Sequence, residues 1–237
     1  MSEWKQKRFW TNVDVAVADG GFAVQLDGRG VKTPAKASLN VPTKALADAI
    51  AAEWDAQEGV VNPNLMPFTR SANAAIDKVS IQHGEVADML AAYGDADLLC
   101  YRATDPEELV ARQTEQWDPV LDWARSDMDA TLEIRKGIMH VPQAEKPLLN
   151  LCAKTHALTD FEMAAFHDLV SLSGSLILGF AAAKDYASAE NLWLKSRLDE
   201  LWQEEQWGPD EEAQLAAEVK KASFLHAKRF FDASQTS

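Results

Sequence analysis

The sequence predicts an α+β protein, with a small amino-terminal α/β domain of antiparallel hairpins and one helix, followed by an α-helical domain. Three observations predict it. Apolar residues alternate with a period of two through the first forty positions. A segment with two prolines and two asparagines, Asn62 to Pro67, then interrupts the chain, and beyond it the apolar spacing turns helical. The domains are therefore expected at 1–65 and 66–237, with 132–141 able to return to the sheet. At 237 residues and 47% apolar content, the chain has material for one large or two small cores.

Val13, Val15 and Val17 alternate with polar neighbours, Asp19-Gly20-Gly21 turns the chain, and Phe22, Val24 and Leu26 repeat the alternation, which makes a hairpin. Asp27-Gly28 with Gly30 gives a second turn, Val31 and Thr33 continue, and Leu39-Asn40-Val41 is a short strand ended by Pro42. Thr43 then caps a helix whose stripe is Leu46, Ala49, Ile50 and Trp54, stopping near Gly59. Helices are expected at 69–92, at 106–117 with Asp105 as cap and Pro106 at its first position, and from Asp118-Pro119 through Trp123. The segment 132–141 is strand-like. Thr159 and Glu162 form a capping box opening a long helix to about Ala183, inside which Gly174, Ser175 and Gly179 permit close approach of another helix. The last two helices are read at 187–206 and 209–231.

Composition excludes several functions. With Lys+Arg 23 against Asp+Glu 37, the net charge of −14 repels phosphate backbones and anionic membranes. The longest apolar run, LILGFAAA at 176–183, falls short of the roughly 20 residues needed to span a bilayer and reads as a buried helix segment. The start, MSEWKQKRFW, resembles neither a signal nor a transit peptide, so a cytoplasmic, bacterial location is expected. Cys100 and Cys152 form no C-x-x-C pair and are expected to be reduced core residues.

Local motifs for catalysis are missing. Gly28-Arg29-Gly30-Val31-Lys32-Thr33 echoes a nucleotide loop but lacks G-x-x-x-x-G-K-[ST] spacing and leads into a strand, so a hairpin turn explains it. His83, His140, His156, His167 and His226 show no H-E-x-x-H or other metal spacing, and His226 sits mid-stripe in the last helix. No cofactor or metal is expected. An enzyme with a site assembled from distant carboxylates and histidines stays open as the alternative reading.

The segment DELWQEEQWGPDEEA, 199–213, concentrates seven carboxylates and two tryptophans. On a helical wheel Leu194, Leu198 and Leu201 share a side, Trp202 borders it, and Glu205 projects from that same side towards the core or a partner. Glu200 and Glu204 lie opposite, near Arg197. Trp207-Gly208 closes the helix, and Pro209 opens the next, placing Asp210, Glu211 and Glu212 in a first turn where the macrodipole favours acids. A solvated helix start explains most of this, and protein docking ranks second. Eight tryptophans in the chain, three of them at 193, 202 and 207, favour docking, because tryptophan is enriched in binding hot spots.

A series of motifs carries a resemblance over almost the whole chain: Lys7-Arg8-Phe9, Leu26-Asp27-Gly28-Arg29, Lys32-Thr33-Pro34, Val41-Pro42-Thr43, Glu53-Trp54-Asp55-Ala56-Gln57 and Asp97-Leu98-Leu99-Cys100-Tyr101-Arg102. Gln113, Trp117-Asp118-Pro119, Asp199-Glu200, Gln203 and Trp207-Gly208 follow in the same order. The sequence resembles the mitochondrial and alphaproteobacterial assembly chaperones that hold the free alpha subunit of the F-type ATP synthase. The resemblance implies a non-enzymatic protein that covers the alpha surface later used by the beta subunit, and a monomer is expected. It implies a small α/β domain followed by an orthogonal helical bundle. It singles out Trp54 and the acids after Trp207-Gly208, Asp210 and Glu212. The segment between Trp207-Gly208 and the acids is shorter here than in longer relatives, so Glu211 and Glu212 both remain candidates for the essential carboxylate. Trp54 also lies on its helix's apolar stripe, where packing alone would account for it.

Overall fold

The structure, a computed structural model, describes residues 7–137 and 139–235; positions 1–6, read above for a leader, and Ile138 of the strand-like segment lie outside the described residues. The chain divides into two compact units. The first runs up to His83 and takes in 159–165 and the chain from Arg229 onward; the second comprises 84–158 and 166–228.

In the first unit, β1 (Val13–Ala18) and β2 (Gly21–Leu26) form the expected antiparallel hairpin, from Val13 opposite Leu26 to Ala18 opposite Gly21. β3 (Arg29–Gly30) and β4 (Asn40–Val41) also pair with β2. Gly21 is required where β4 crosses: a Cβ there would stand 2.1 Å from the Val41 carbonyl oxygen. The Asp27 carboxylate accepts from the amides of Thr11 at 3.1 Å and Asn12 at 2.9 Å, fastening the turn with Gly28. α1 (Lys44–Asp55) begins as read, with the Thr43 hydroxyl accepting from the Leu46 amide at 3.1 Å, and buries Leu46, Ala47 and Ile50.

The helix read at 69–92 is broken. α2 (Pro67–Asp77) ends at Lys78, a 3-10 turn spans Val79–Ile81, and α3 (His83–Ala91) follows. Compactness also runs past the boundary read after residue 65. α2 is tied to α1 through Glu53, the Thr43 hydroxyl donates to the Ala233 carbonyl, and the Phe68 and Phe161 rings lie 6.1 and 6.5 Å from Phe230. A change of periodicity marks where strands stop, but carries no information about which distant helix end returns to the sheet.

In the second unit, β5 (Tyr101–Arg102) pairs in parallel with β6 (Arg135–Lys136), so the segment at 132–141 builds a separate two-stranded pairing and does not return to the amino-terminal sheet. α4 (Glu107–Met128) is one helix that carries Pro119 internally, where the sequence reading splits it, and Pro106 occupies the cap position assigned to Asp105. α5 (Glu145–His156) has no counterpart in the sequence reading; its buried stripe of Pro147, Leu151 and Thr155 has only one strongly apolar member.

The helix read at 159–183 opens with its capping box, the Glu162 carboxylate accepting from the Thr159 amide at 2.8 Å. It breaks into α6 (Asp160–Ser173) and α7 (Leu176–Ala183) where Gly174 takes φ 70° and Ser175 caps the second piece. Gly179 fulfils the close approach expected of it, since a Cβ there would lie 2.6 Å from Val170 Cγ2 and 3.3 Å from the Phe166 ring. Leu176 to Ala182 are buried, as read. The stretch at 187–206 divides at Arg197 into α8 (Ala189–Ser196) and α9 (Leu198–Trp207), and α10 (Glu211–Ser234) closes the chain. Trp117, Phe166 and Phe224 are fully buried in this unit.

Candidate functional site

The joint between α9 and α10 is built from local signals. Gly208, at φ 90°, ends α9 and its amide donates to the Glu204 carbonyl at 2.9 Å. Asp210 then acts as the cap of α10, its carboxylate accepting from the amides of Glu212 at 2.9 Å and Ala213 at 3.1 Å. This corrects the expected start: Pro209 precedes the cap, and Asp210 lies outside the first turn. Glu211 and Glu212 do occupy that turn, exposed, and among the described residues neither carboxylate takes a hydrogen bond or ion pair. Of the three candidate acids, one is committed to starting its helix and two are available.

Trp207 is 78% exposed beside this joint. One turn into α10, Leu215 and Val219 are 72% and 68% exposed, and their spacing from Glu212 puts all three on one helix face. A groove of about 490 Å³ runs between the helices, lined by Glu200, Glu204, Trp207, Asp210 and Lys220 among others. Glu205 is accounted for otherwise than the wheel suggests. Arg112 of α4 donates to it at 2.8 Å, lies 4.8 Å over the Trp202 ring, and by that hydrogen bond holds the Glu205 carboxyl below its usual range. Leu194, expected on the buried side, is 50% exposed because the break at Arg197 separates its helix from that of Leu198.

Trp54 belongs to the first unit. It is half-buried, packs edge-to-face on Trp10 at 5.2 Å, and its buried indole nitrogen has no hydrogen-bond partner among the described residues. Its neighbours are fastenings. Glu53 accepts from the Phe68 amide at 2.6 Å and from the amide and hydroxyl of Thr69 at 2.8 Å, capping α2, while burial pushes its carboxyl above the ordinary value. Gln57 is buried and bridges the Glu53 carbonyl at 3.1 Å to the Asn62 amide at 2.7 Å. Arg8 donates to the Gln57 carbonyl at 2.7 Å and to the Asp55 carboxylate at 3.2 Å.

The second quoted motif is equally internal. Asp97, fully buried, accepts from Ser175 Oγ at 2.7 Å and from the amides of Leu99 and Ile177 at 3.0 Å each. Burial pushes its carboxyl up to about 6. Arg102 donates to the Leu99 carbonyl at 2.9 Å and pairs with Asp118 at 2.7 Å. Gln113 links the Ala103 amide to Asp199 at 2.9 and 2.8 Å, and the Trp117 indole donates to the Lys195 carbonyl at 2.9 Å.

The histidines fall into aspartate pairs: His83 with Asp160, His140 with Asp95, His156 with Asp88 and His167 with Asp168, all at 2.7–2.9 Å, with His226 buried. Cys100 is buried, as expected, and burial pushes its thiol up. Cys152 is not a core residue: it is half-exposed beside His156 and Asp88. A C-x-x-x-H spacing on α5 was the available signal for that cluster, and Asp88 on α3 could not be read from spacing at all.

Residues 7–125 match the sequence profile of the ATP12 chaperone protein family. The crystal structure of ATP12 from Paracoccus denitrificans superposes with a TM-score of 0.96 at 48% identity, covering 98% of this chain and all of that one. A further solved structure, from Agrobacterium tumefaciens, gives 0.90 at 42% identity over 96% of this chain and 85% of that one. The mitochondrial ATP12 protein of Schizosaccharomyces pombe is 27% identical over 219 residues, 87% of this chain and 75% of its own length.

Proposed function

Because the chain belongs to the ATP12 chaperone family, non-enzymatic factors of ATP synthase assembly, we propose that it binds the unassembled alpha subunit of the F-type ATP synthase and prevents its aggregation until the beta subunit replaces it. The family assignment sets aside the enzyme with a site of distant carboxylates and histidines. An orphan subunit of an alternating ring exposes a large apolar interface. A shield for it must bind specifically yet yield to the true partner, which favours an interface of moderate size with charged selectivity.

The observation that carries the reading is the α9–α10 joint: exposed Trp207, Leu215 and Val219 beside Glu211 and Glu212, two carboxylates without partners among the described residues. Such a surface suits an apolar client patch bordered by basic residues. Asp210 supports it by capping the helix that presents those acids. Trp54, against Trp10, is assigned to packing before contact. The protein acts as a monomer in the bacterial cytoplasm, without cofactor; among the described residues no helix is long and apolar enough to cross a membrane.

Co-expression with an aggregation-prone alpha subunit tests this, with soluble alpha and co-purification as the expected result; neither appearing would sink it. Glu212→Lys separates docking from structure. Reversing a charge in a first turn costs about 0.6–2 kcal/mol, a fall of at most ~8 °C in melting temperature, whereas capture of alpha should weaken at least about tenfold. A Glu212→Lys protein that unfolds would make the carboxylate structural.

A further inference from the structure

We propose that Cys152, His156 and Asp88 form a binding site for a thiophilic divalent transition metal, with Zn2+ the best match. Cys152 and His156 are one turn apart on α5 and so share a face, and Asp88 reaches them from α3. One ligand atom from each lies within 4.8 Å of the other two, and His156 Nε2 is 2.7 Å from Asp88 Oδ1. A tetrahedral zinc with a Zn–S distance of about 2.3 Å and a Zn–N distance of about 2.0 Å holds its donors roughly 3.5 Å apart, so the donors have to close by little more than ~1 Å.

The donor types choose the metal. A thiolate with an imidazole and one carboxylate suits Zn2+ or Co2+ and is poor for Mg2+ or Ca2+, which require more oxygen ligands. Four histidines in the described chain face an aspartate, but among the described residues only this pair also brings a thiol. Cys152 further lines an open groove of about 420 Å³ together with Ala91, Asp95, Leu148 and Leu149, which leaves the fourth coordination position accessible to water. On binding, the metal takes the place of the proton between His156 Nε2 and Asp88 Oδ1, the neutral ring then carrying its single proton on Nδ1, and the Cys152 thiol gives up its proton to solvent as the S–metal bond forms.

Cobalt titration of the purified, reduced, metal-free full chain reads the site directly. The expected result is a thiolate-to-cobalt charge-transfer absorption with tetrahedral visible bands, saturating at one equivalent and bleached by stoichiometric Zn2+. Cys152→Ser, nearly isosteric at a half-exposed position, should abolish the charge-transfer band while leaving the circular dichroism unchanged. Asp88→Asn and His156→Gln should each weaken binding by tenfold or more. Absence of the band in the reduced protein, its persistence in Cys152→Ser, or unaltered affinity in Asp88→Asn or His156→Gln overturns the assignment.

Discussion

Replacing Asp97 by alanine and by asparagine separates its hydrogen bonds from its charge. The carboxylate is fully buried and accepts three bonds, two at Oδ1 from Leu99 and Ser175 and one at Oδ2 from Ile177, and all three donors are themselves buried. Each unsatisfied buried donor costs about 1–3 kcal/mol, so alanine should destabilise by ~4 kcal/mol or more even after some relaxation. Asparagine keeps the Oδ1 bonds but sets an amide N–H against the Ile177 amide, a hydrogen-bond loss of about 1–3 kcal/mol. The pH dependence is a separate signature. Burial raises the folded carboxyl to about 6 from 3.8, so between pH 4 and 6 the folded state binds more protons than the unfolded one, and stability falls as pH rises through that window. The gap of roughly two pH units corresponds to about 3 kcal/mol, a cost of burying the charge that the wild type bears at pH 7 and sheds on acidification, and that asparagine never bears. The wild type should therefore gain about 3 kcal/mol on Asp97→Asn as the pH is lowered from 7 to 4. Urea unfolding followed by tryptophan fluorescence at several pH values measures this. Parallel stability curves for wild type and Asp97→Asn, or an alanine variant within ~1 kcal/mol of wild type, would refute the reasoning.

Gly179→Ala should cost about 1–3 kcal/mol in thermal or urea unfolding despite its better helix propensity, because the new Cβ meets Val170 Cγ2 at 2.6 Å; Val170→Ala in the same chain should restore part of it. Glu53→Ala removes the cap of α2, with an expected loss of ~1–2 kcal/mol and faster amide exchange at Phe68 and Thr69. Trp54→Phe keeps a ring against Trp10 and should fold and still capture alpha, whereas Trp54→Glu should unfold the first unit, read by circular dichroism. A well-folded Trp54→Phe that cannot capture alpha would instead make Trp54 a contact residue.

The motifs that make this family recognisable are mostly fastenings. Glu53, Gln57, Asp97, Arg102, Gln113 and Trp117 each close hydrogen bonds between elements, and that role explains their residue types without reference to a client. The site candidates divide by the same test. Asp210 is occupied by its helix, Trp54 by Trp10, and Glu205 by Arg112, 93 positions away in sequence. Trp207, Glu211 and Glu212 are left facing solvent.

Sequence alone determined what depends on neighbours along the chain. The hairpin turn at Asp27-Gly28, the Thr43 cap, the Thr159–Glu162 capping box and the Gly208 terminus follow from φ preferences and from side chains reaching amides two or three residues on. Tertiary structure decided the rest. The breaks at Lys78 and Arg197, the pairing of β5 with β6, the burial of Asp97 and the meeting of Cys152 with Asp88 depend on which elements approach in space. Helical periodicity is indifferent to a one-residue interruption and cannot encode a partner 64 positions away, as Asp88 is from Cys152. Burial and hydrogen bonding act across that gap, so only the folded chain shows which acids serve the structure and which face solvent.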